Sequence, residues 1–152
     1  MIKIEEARES DLIGVHKLIG ELATFERARQ EFTLSIEQFT KDFHAGLFFS
    51  LVAKENNAII GMAVLHNAYS TWKGNCLYLE DIIVTEIHRG KGIGKLLFES
   101  CIKFAIQKKA ERLRWQVLDW NEPAILFYKK YNANFDKEWL TCRLTKEELL
   151  NY

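Results

Sequence analysis

The sequence predicts a single α/β domain spanning residues 1–152, built on a mixed, mostly antiparallel sheet flanked by helices. Three observations carry that prediction. A chain of 152 residues is long enough to bury one substantial core and short for two. Its apolar periodicity switches between strand and helix spacing in the order β-α-α-β-β-β-α-β-α-β. A basic loop with three glycines, Arg89-Gly90-Lys91-Gly92-Ile93-Gly94, joins an apolar strand directly to an amphipathic helix. No internal repeat, linker or low-complexity tract divides the chain.

Taken in order, Ile2 to Arg8 alternates as a first strand. Ser10-Asp11 is placed to cap a helix whose stripe is Leu12, Val15, Ile19 and Leu22. Ser35 with Gln38 resembles a capping box for a second helix carrying Ile36, Phe39 and Phe43. Phe48 to Lys54 and Ala58 to His66 are rich in branched and aromatic residues, and Glu55-Asn56-Asn57 between them reads as a hairpin turn. Leu77 to Val84 is the strand that feeds the glycine loop. The helix after it presents Ile93, Leu96, Leu97, Cys101, Phe104 and Ala105 on one face. Arg112 to Leu118 alternates again, with Leu113, Trp115 and Val117 pointing inward. Asn121 caps the next helix, and Pro123 falls in its first turn, where a missing N–H costs little. Asn132 suits a left-handed helix end, a last strand is expected near Trp139 to Leu144, and a short polar segment follows.

Composition narrows the classes of function. Lys plus Arg and Asp plus Glu each number 21, so no basic excess is available for a phosphate backbone, and nucleic-acid binding is not expected. The apolar runs fall far short of a membrane span, and the acidic, alternating N-terminus does not read as a signal peptide. Three cysteines, Cys76, Cys101 and Cys142, lack metal-ligand spacing and read as reduced, consistent with a cytoplasmic protein; the four histidines are scattered, and no metal is expected.

The glycine loop has the makings of an anion site. Glycine allows unusual dihedrals and close approach, and a helix opening at about Gly92 offers unpaired N–H groups and the positive end of its dipole. His88, Arg89, Lys91 and Lys95 add positive charge. Leu96 stands where a P-loop needs Ser or Thr, and Lys95 stands where the dinucleotide fingerprint needs its third glycine. Upstream, Glu80 and Asp81 place two carboxylates in an otherwise apolar strand. Strict alternation sends them to opposite faces unless a bulge intervenes. They are either a salt-bridged or edge-exposed pair, or include a catalytic base. Tyr128, two turns after Asn121, is either a core ring with its hydroxyl at the rim or a catalytic acid. Trp72, Trp120 and Trp139 close core edges or, with Glu26, Glu80, Asp81 and Asp119, line a pocket for a cationic amine.

The loop resembles the Arg/Gln-x-x-Gly-x-Gly/Ala pyrophosphate loop of the GNAT superfamily of acetyl-CoA-dependent N-acetyltransferases, whose element order is the one read above. Tyr78-Leu79-Glu80-Asp81, Arg89 to Gly94, Trp120-Asn121-Glu122-Pro123 and Phe127-Tyr128-Lys129 resemble the spermidine/spermine (diamine) N-acetyltransferases. Leu22-Ala23-Thr24-Phe25-Glu26 is similar to that family's first-helix segment. Tyr69-Ser70-Thr71-Trp72-Lys73-Gly74 and Val117-Leu118-Asp119-Trp120-Asn121 look more like its thialysine-acetylating branch. The polyamine branch has Asp-Pro where this chain has Ser70-Thr71, and the family has Gly at Asn132.

The resemblance implies roles. Glu80 would deprotonate the substrate ammonium through water, and Tyr128 would act as acid to the departing thiolate. Backbone amides across Ile82, Ile83 and Val84 would bind the pantetheine arm. Arg89, Gly90, Lys91, Gly92, Ile93 and Gly94, with Lys95, would hold the pyrophosphate, and Asn121 and Tyr128 would contact the cofactor's arm. Glu26, Trp72, Glu80, Asp81 and Trp139 would face the acceptor. An alkyl ammonium, with a pKa of about 10, cannot attack a thioester until it loses a proton, so a carboxylate base serves the chemistry. Cys76 and Cys101 have no evident base beside them, which favours direct transfer over an acyl-enzyme. The expected activity is acetyl transfer from acetyl-CoA to a small primary amine, a polyamine or a thialysine- or lysine-like amino acid, by a homodimer. The alternatives are a peptide, protein or antibiotic amine as acceptor, or a non-catalytic acyl-CoA sensor.

Overall fold

The computed structural model describes residues 1–152 and falls into two compact units, Met1–Gln116 and Val117–Tyr152. The first unit contains strands β1 (Ile2–Glu6), β2 (Phe49–Glu55), β3 (Ala58–Ser70), β4 (Gly74–Val84) and β5 (Arg112–Arg114), with helices α1 (Leu12–Phe25), α2 (Ile36–His44) and α3 (Ile93–Gln107). The second contains α4 (Glu122–Lys129) and α5 (Lys146–Leu150).

The sheet is open and runs β1-β2-β3-β4-β5. Its first three pairings are antiparallel and the β4–β5 pairing is parallel. Tight hairpins place β2, β3 and β4 side by side, whereas β1 reaches β2 through α1 and α2. Asn56 and Asn57 both take positive φ, 48° and 67°, the conformation that two-residue hairpin turns require. At the β3–β4 turn the Ser70 hydroxyl accepts the Trp72 and Lys73 N–H groups, each at 3.2 Å. Ser70 thus performs the turn-stabilising task open to an aspartate at that position.

Both faces of the sheet are covered. Leu12, Val15, Leu18 and Leu22 of α1 pack with Phe39 of α2 and with Val52, Met62, Val64 and Ile83 of the sheet. On the opposite face α3 buries Ile93, Leu97, Phe98, Cys101 and Phe104, and the Phe104 ring meets that of Phe49 at 5.2 Å. Burying each such side chain contributes about 1.5–3 kcal/mol. Beneath α1, Lys54 bridges Glu5 and Asp11, each at 2.8 Å.

Several details depart from the sequence reading. Asp11 does not cap α1 with its side chain; it accepts the Arg8 N–H at 2.9 Å and pairs with Lys54. Leu96, expected on the buried face of α3, is exposed, and Phe98 is buried in its place. The strand expected over Arg112 to Leu118 pairs only at Arg112–Arg114. The strand expected near Trp139 to Leu144 does not form. Trp139, Leu140 and Leu144 lie exposed, so the alternation there serves no buried face, and no ladder pairs the segment. The chain ends instead in α5, opened by a capping box between Thr145 and Glu148.

Candidate active site

The site begins with an irregularity in β4. Val64 pairs with Asp81 and the next residue, Leu65, pairs with Leu79, so Glu80 is an extra residue without a partner on β3. This bulge is the exception under which Glu80 and Asp81 need not face opposite ways. Asp81 sits across from Val64, on the face covered by α1. Glu80 reaches His66, two positions beyond Val64 on that same face, with Oε2 3.1 Å from Nε2.

Three carboxylates therefore share one environment. Burial pushes the Asp81 carboxyl up to about 7, helped by the negative charges of Glu80 and Glu26. Desolvation also holds the Glu26 carboxyl above its ordinary value. Glu26 is delivered by the way α1 ends. The Ala28 N–H reaches back to the Ala23 carbonyl at 2.9 Å and the Arg27 N–H to the Thr24 carbonyl at 3.1 Å, with Arg27 left-handed at φ 61°. This is a Schellman cap in which arginine occupies the position glycine usually takes. Two desolvated acids, Asp81 and Glu26, beside the more exposed Glu80 are matched to a cation.

The second half of the site lies beyond the bulge. β5 pairs with β4 only at Cys76, Leu77 and Tyr78, so Leu79–Val84 run on without a strand on that edge. The Ile82 and Val84 amides face away from β3 and border this opening, whereas Ile83, in step with Thr85, whose N–H reaches the Ile60 carbonyl at 2.9 Å, turns its amide toward β3. A short turn, Glu86–His88, leads out of β4. It is pinned by His88, whose Nδ1 lies 2.8 Å from Thr85 Oγ1 and whose Nε2 lies 3.5 Å from Glu55. Arg89 Nε donates to the Val84 carbonyl at 3.0 Å, and its guanidinium lies over the Phe25 ring at 5.2 Å.

The glycine loop then opens α3. Gly90 and Gly92 take φ of 75° and 80°, and a Cβ on either would meet nothing within 4 Å. Gly92 is the N-cap of α3 and supplies no side-chain cap, so the first N–H groups of the helix, among them those of Ile93 and Gly94, have no side-chain acceptor from the cap. Ile93 is itself buried at 1% exposure, so it serves such a site only through its backbone. Lys91 and Lys95 add charge, Lys95 lying 3.9 Å from Glu99 along the helix. Left-handed glycines, an open space above them and a helix N-terminus with basic neighbours fit a phosphorylated group.

Asn121 and Tyr128 belong to the second unit. Asn121 is the N-cap of α4, its Oδ1 accepting the Ala124 N–H at 3.4 Å. Tyr128 lies two turns further along and is buried, its ring edge-on to Phe127 at 5.3 Å. Trp139 is exposed in the same unit. Trp72 is 80% exposed at the β3–β4 turn. At about 3.3 Å per residue it stands roughly 20 Å along the hairpin from Asp81, so the fold of one chain does not bring it to the carboxylates.

Two contributors escaped sequence reading, His66 and Phe25. Each acts through a neighbour fixed by strand register or helix packing, and a single sequence carries no signal for either pairing.

A bulged acidic strand running into a glycine-rich helix N-terminus beside a split sheet defines an acyltransferase of the GNAT type. The chain belongs to the acetyltransferase (GNAT) family, whose model matches residues 12–133, and it is an N-acetyltransferase. It is similar to the thialysine N-epsilon-acetyltransferase of Mus musculus, 34% identical over 97% of this chain and 94% of the relative. It is also similar to the spermidine/spermine N(1)-acetyltransferase-like protein 1 of Homo sapiens, 29% identical over 98% of this chain and 23% of that longer protein. Among solved structures, a possible acetyltransferase from Clostridium difficile 630 shares the fold, with TM-score 0.75 and 23% identity over 95% of this chain and 99% of the other. These relatives agree with the placement in the spermidine/spermine family, nearest its thialysine branch. No helix is long and apolar enough to cross a membrane.

Proposed function

We propose that the protein transfers the acetyl group of acetyl-CoA to the primary amine of a small cationic acceptor, a thialysine- or lysine-like amino acid or a polyamine. The observation that carries this reading is the convergence of Glu26, Glu80 and Asp81 at the β4 bulge, directly upstream of the Gly90–Gly92 loop. Carboxylates at that point attract an ammonium group, and the loop accepts phosphates a few residues further on.

Acetyl-CoA supplies an activated thioester. The remaining work falls to side chains and amides of this chain. Asp81 and Glu26 hold the ammonium, and desolvation there lowers the amine's own pKa. Glu80 takes its proton, through water, and frees the nitrogen lone pair for attack. Amides of Ile82 and Val84, on either side of Ile83, pair with the pantetheine arm in place of the missing strand, and one of them stabilises the developing oxyanion by about 3 kcal/mol. Arg89, Gly90, Lys91, Gly92, Ile93, Gly94 and Lys95 hold the pyrophosphate, Asn121 contacts the arm, and Tyr128 returns a proton to the leaving thiolate. Neither Cys76 nor Cys101 takes part: both are buried, and burial pushes the Cys101 thiol up to about 12. Transfer is then direct, within a ternary complex.

Trp72 and Trp139 complete the acceptor site in this reading. The exposed hairpin tip carrying Trp72 and Tyr69 suits service across a homodimer. Three free cysteines accord with a cytoplasmic setting.

The test is CoA release from acetyl-CoA, screened against thialysine, lysine, spermidine, spermine, putrescine and a short peptide. Turnover confined to one of the small amines supports the proposal and selects the branch. Turnover with the peptide alone, or acetyl-CoA binding without any turnover, refutes it.

A further inference from the structure

We propose that His66 is a positioning residue for Glu80, holding the base in place through a ring hydrogen bond; this rests on the reading of Glu80 as the base. The two ring nitrogens of His66 face two acceptors. Nδ1 lies 3.1 Å from the Asn67 carbonyl. Nε2 lies 3.1 Å from Glu80 Oε2. An ionised carboxylate only accepts, so a hydrogen on Nε2 points at Oε2 and leaves the carboxylate free of a proton, as a base must be.

Glu80 needs such a partner. As the bulge residue it has no cross-strand neighbour, and its side chain is 55% exposed. A glutamate in that setting has several rotamers open to it, and a base is effective only when held within hydrogen-bond reach of its proton. His66 is itself fixed: it pairs with Tyr78 across the strands and stacks on that ring at 5.2 Å and 24°. Around the pair, Asp81 feels the negative charge of Glu80 and of Glu26, and Tyr78 feels Glu80 and the opposing Arg114.

The experiment is a double-mutant cycle with the acceptor that turns over fastest. His66→Phe keeps the ring stacked on Tyr78 and removes both nitrogens; His66→Gln keeps a donor of similar reach. The expected result is a fall in kcat of about tenfold for His66→Phe, with the KM for acetyl-CoA unchanged and most of the rate restored in His66→Gln. In a Glu80→Gln background, His66→Phe should have no further effect. The ring 15N resonances of His66 should also shift between wild type and Glu80→Gln, whatever the turnover. A wild-type rate in His66→Phe, or losses that multiply across the cycle, overturns the role of His66. A wild-type rate in Glu80→Gln overturns the reading of Glu80 itself, and the positioning role falls with it.

Discussion

Replacing Asp81 by asparagine tests the electrostatics of the site without any substrate. In the folded protein the Asp81 carboxyl is raised from 3.8 to about 7 by burial and by Glu80 and Glu26. Between those two values the native state holds a proton that the unfolded chain has released. Stability therefore falls as pH rises across that window, by about 1.36 kcal/mol per unit once the unfolded group is ionised. Asparagine is neutral throughout and escapes this loss. The stability of Asp81→Asn relative to wild type should thus climb by about 3–4 kcal/mol between pH 4 and pH 8, then level off. Urea denaturation of both proteins at a series of pH values measures the difference directly, and any fixed packing change adds only a constant. A difference that stays flat with pH would refute the claim that Asp81 is a desolvated acid among like charges. A saturating ammonium acceptor at pH 8 should stabilise wild type more than the variant, because only wild type keeps the buried Asp81 charge beside Glu80 and Glu26.

Other outcomes follow from the same geometry. Gly92→Val puts a branched side chain at φ 80°, a conformation that costs an L-residue about 1–2 kcal/mol; the Kd for acetyl-CoA, read by calorimetry, should rise at least tenfold. Tyr128→Phe keeps the ring packed against Phe127 and removes the hydroxyl, so kcat should fall by about 10²-fold or more while acetyl-CoA affinity changes little. Lys54→Met leaves the buried Asp11 without its cation, and thermal or urea unfolding near pH 7 should show a loss of about 2–4 kcal/mol. Burial alone would raise the Asp11 carboxyl, but the Arg8 N–H and Lys54 outweigh it and hold it below 3.8. The Lys54→Met penalty should therefore shrink as pH falls through that lowered value.

The sequence was most legible where local pattern and tertiary burial agree. The α1 and α3 stripes, the Asn56-Asn57 turn, the Ser35 and Asn121 caps and the left-handed Asn132 all follow from periodicity or from residues with a single local use. The glycine loop was legible for the same reason: Gly90 and Gly92 need conformations that few residues supply. The bulge at Glu80 was not, because an extra residue in a strand leaves no mark on apolar alternation until the register of β3 is known. The missing strand near Trp139 failed in the opposite direction. Alternation was present there without a face to bury, and pattern alone cannot tell the two apart. His66 and Phe25 depended on long-range pairing, which a single chain's spacing does not encode.

Arg89 has a consequence for how the two ligands act on each other. One side chain ties the Val84 carbonyl at the end of the bulged strand to the Phe25 ring at the end of α1, next to Glu26, and itself belongs to the phosphate loop. Strand end, helix end and loop form a tripod with a single pivot. On the proposed reading, phosphates on the loop and an ammonium at the carboxylates bear on this same pivot. The two affinities are then linked, and whatever factor acetyl-CoA confers on the amine, the amine must confer on acetyl-CoA.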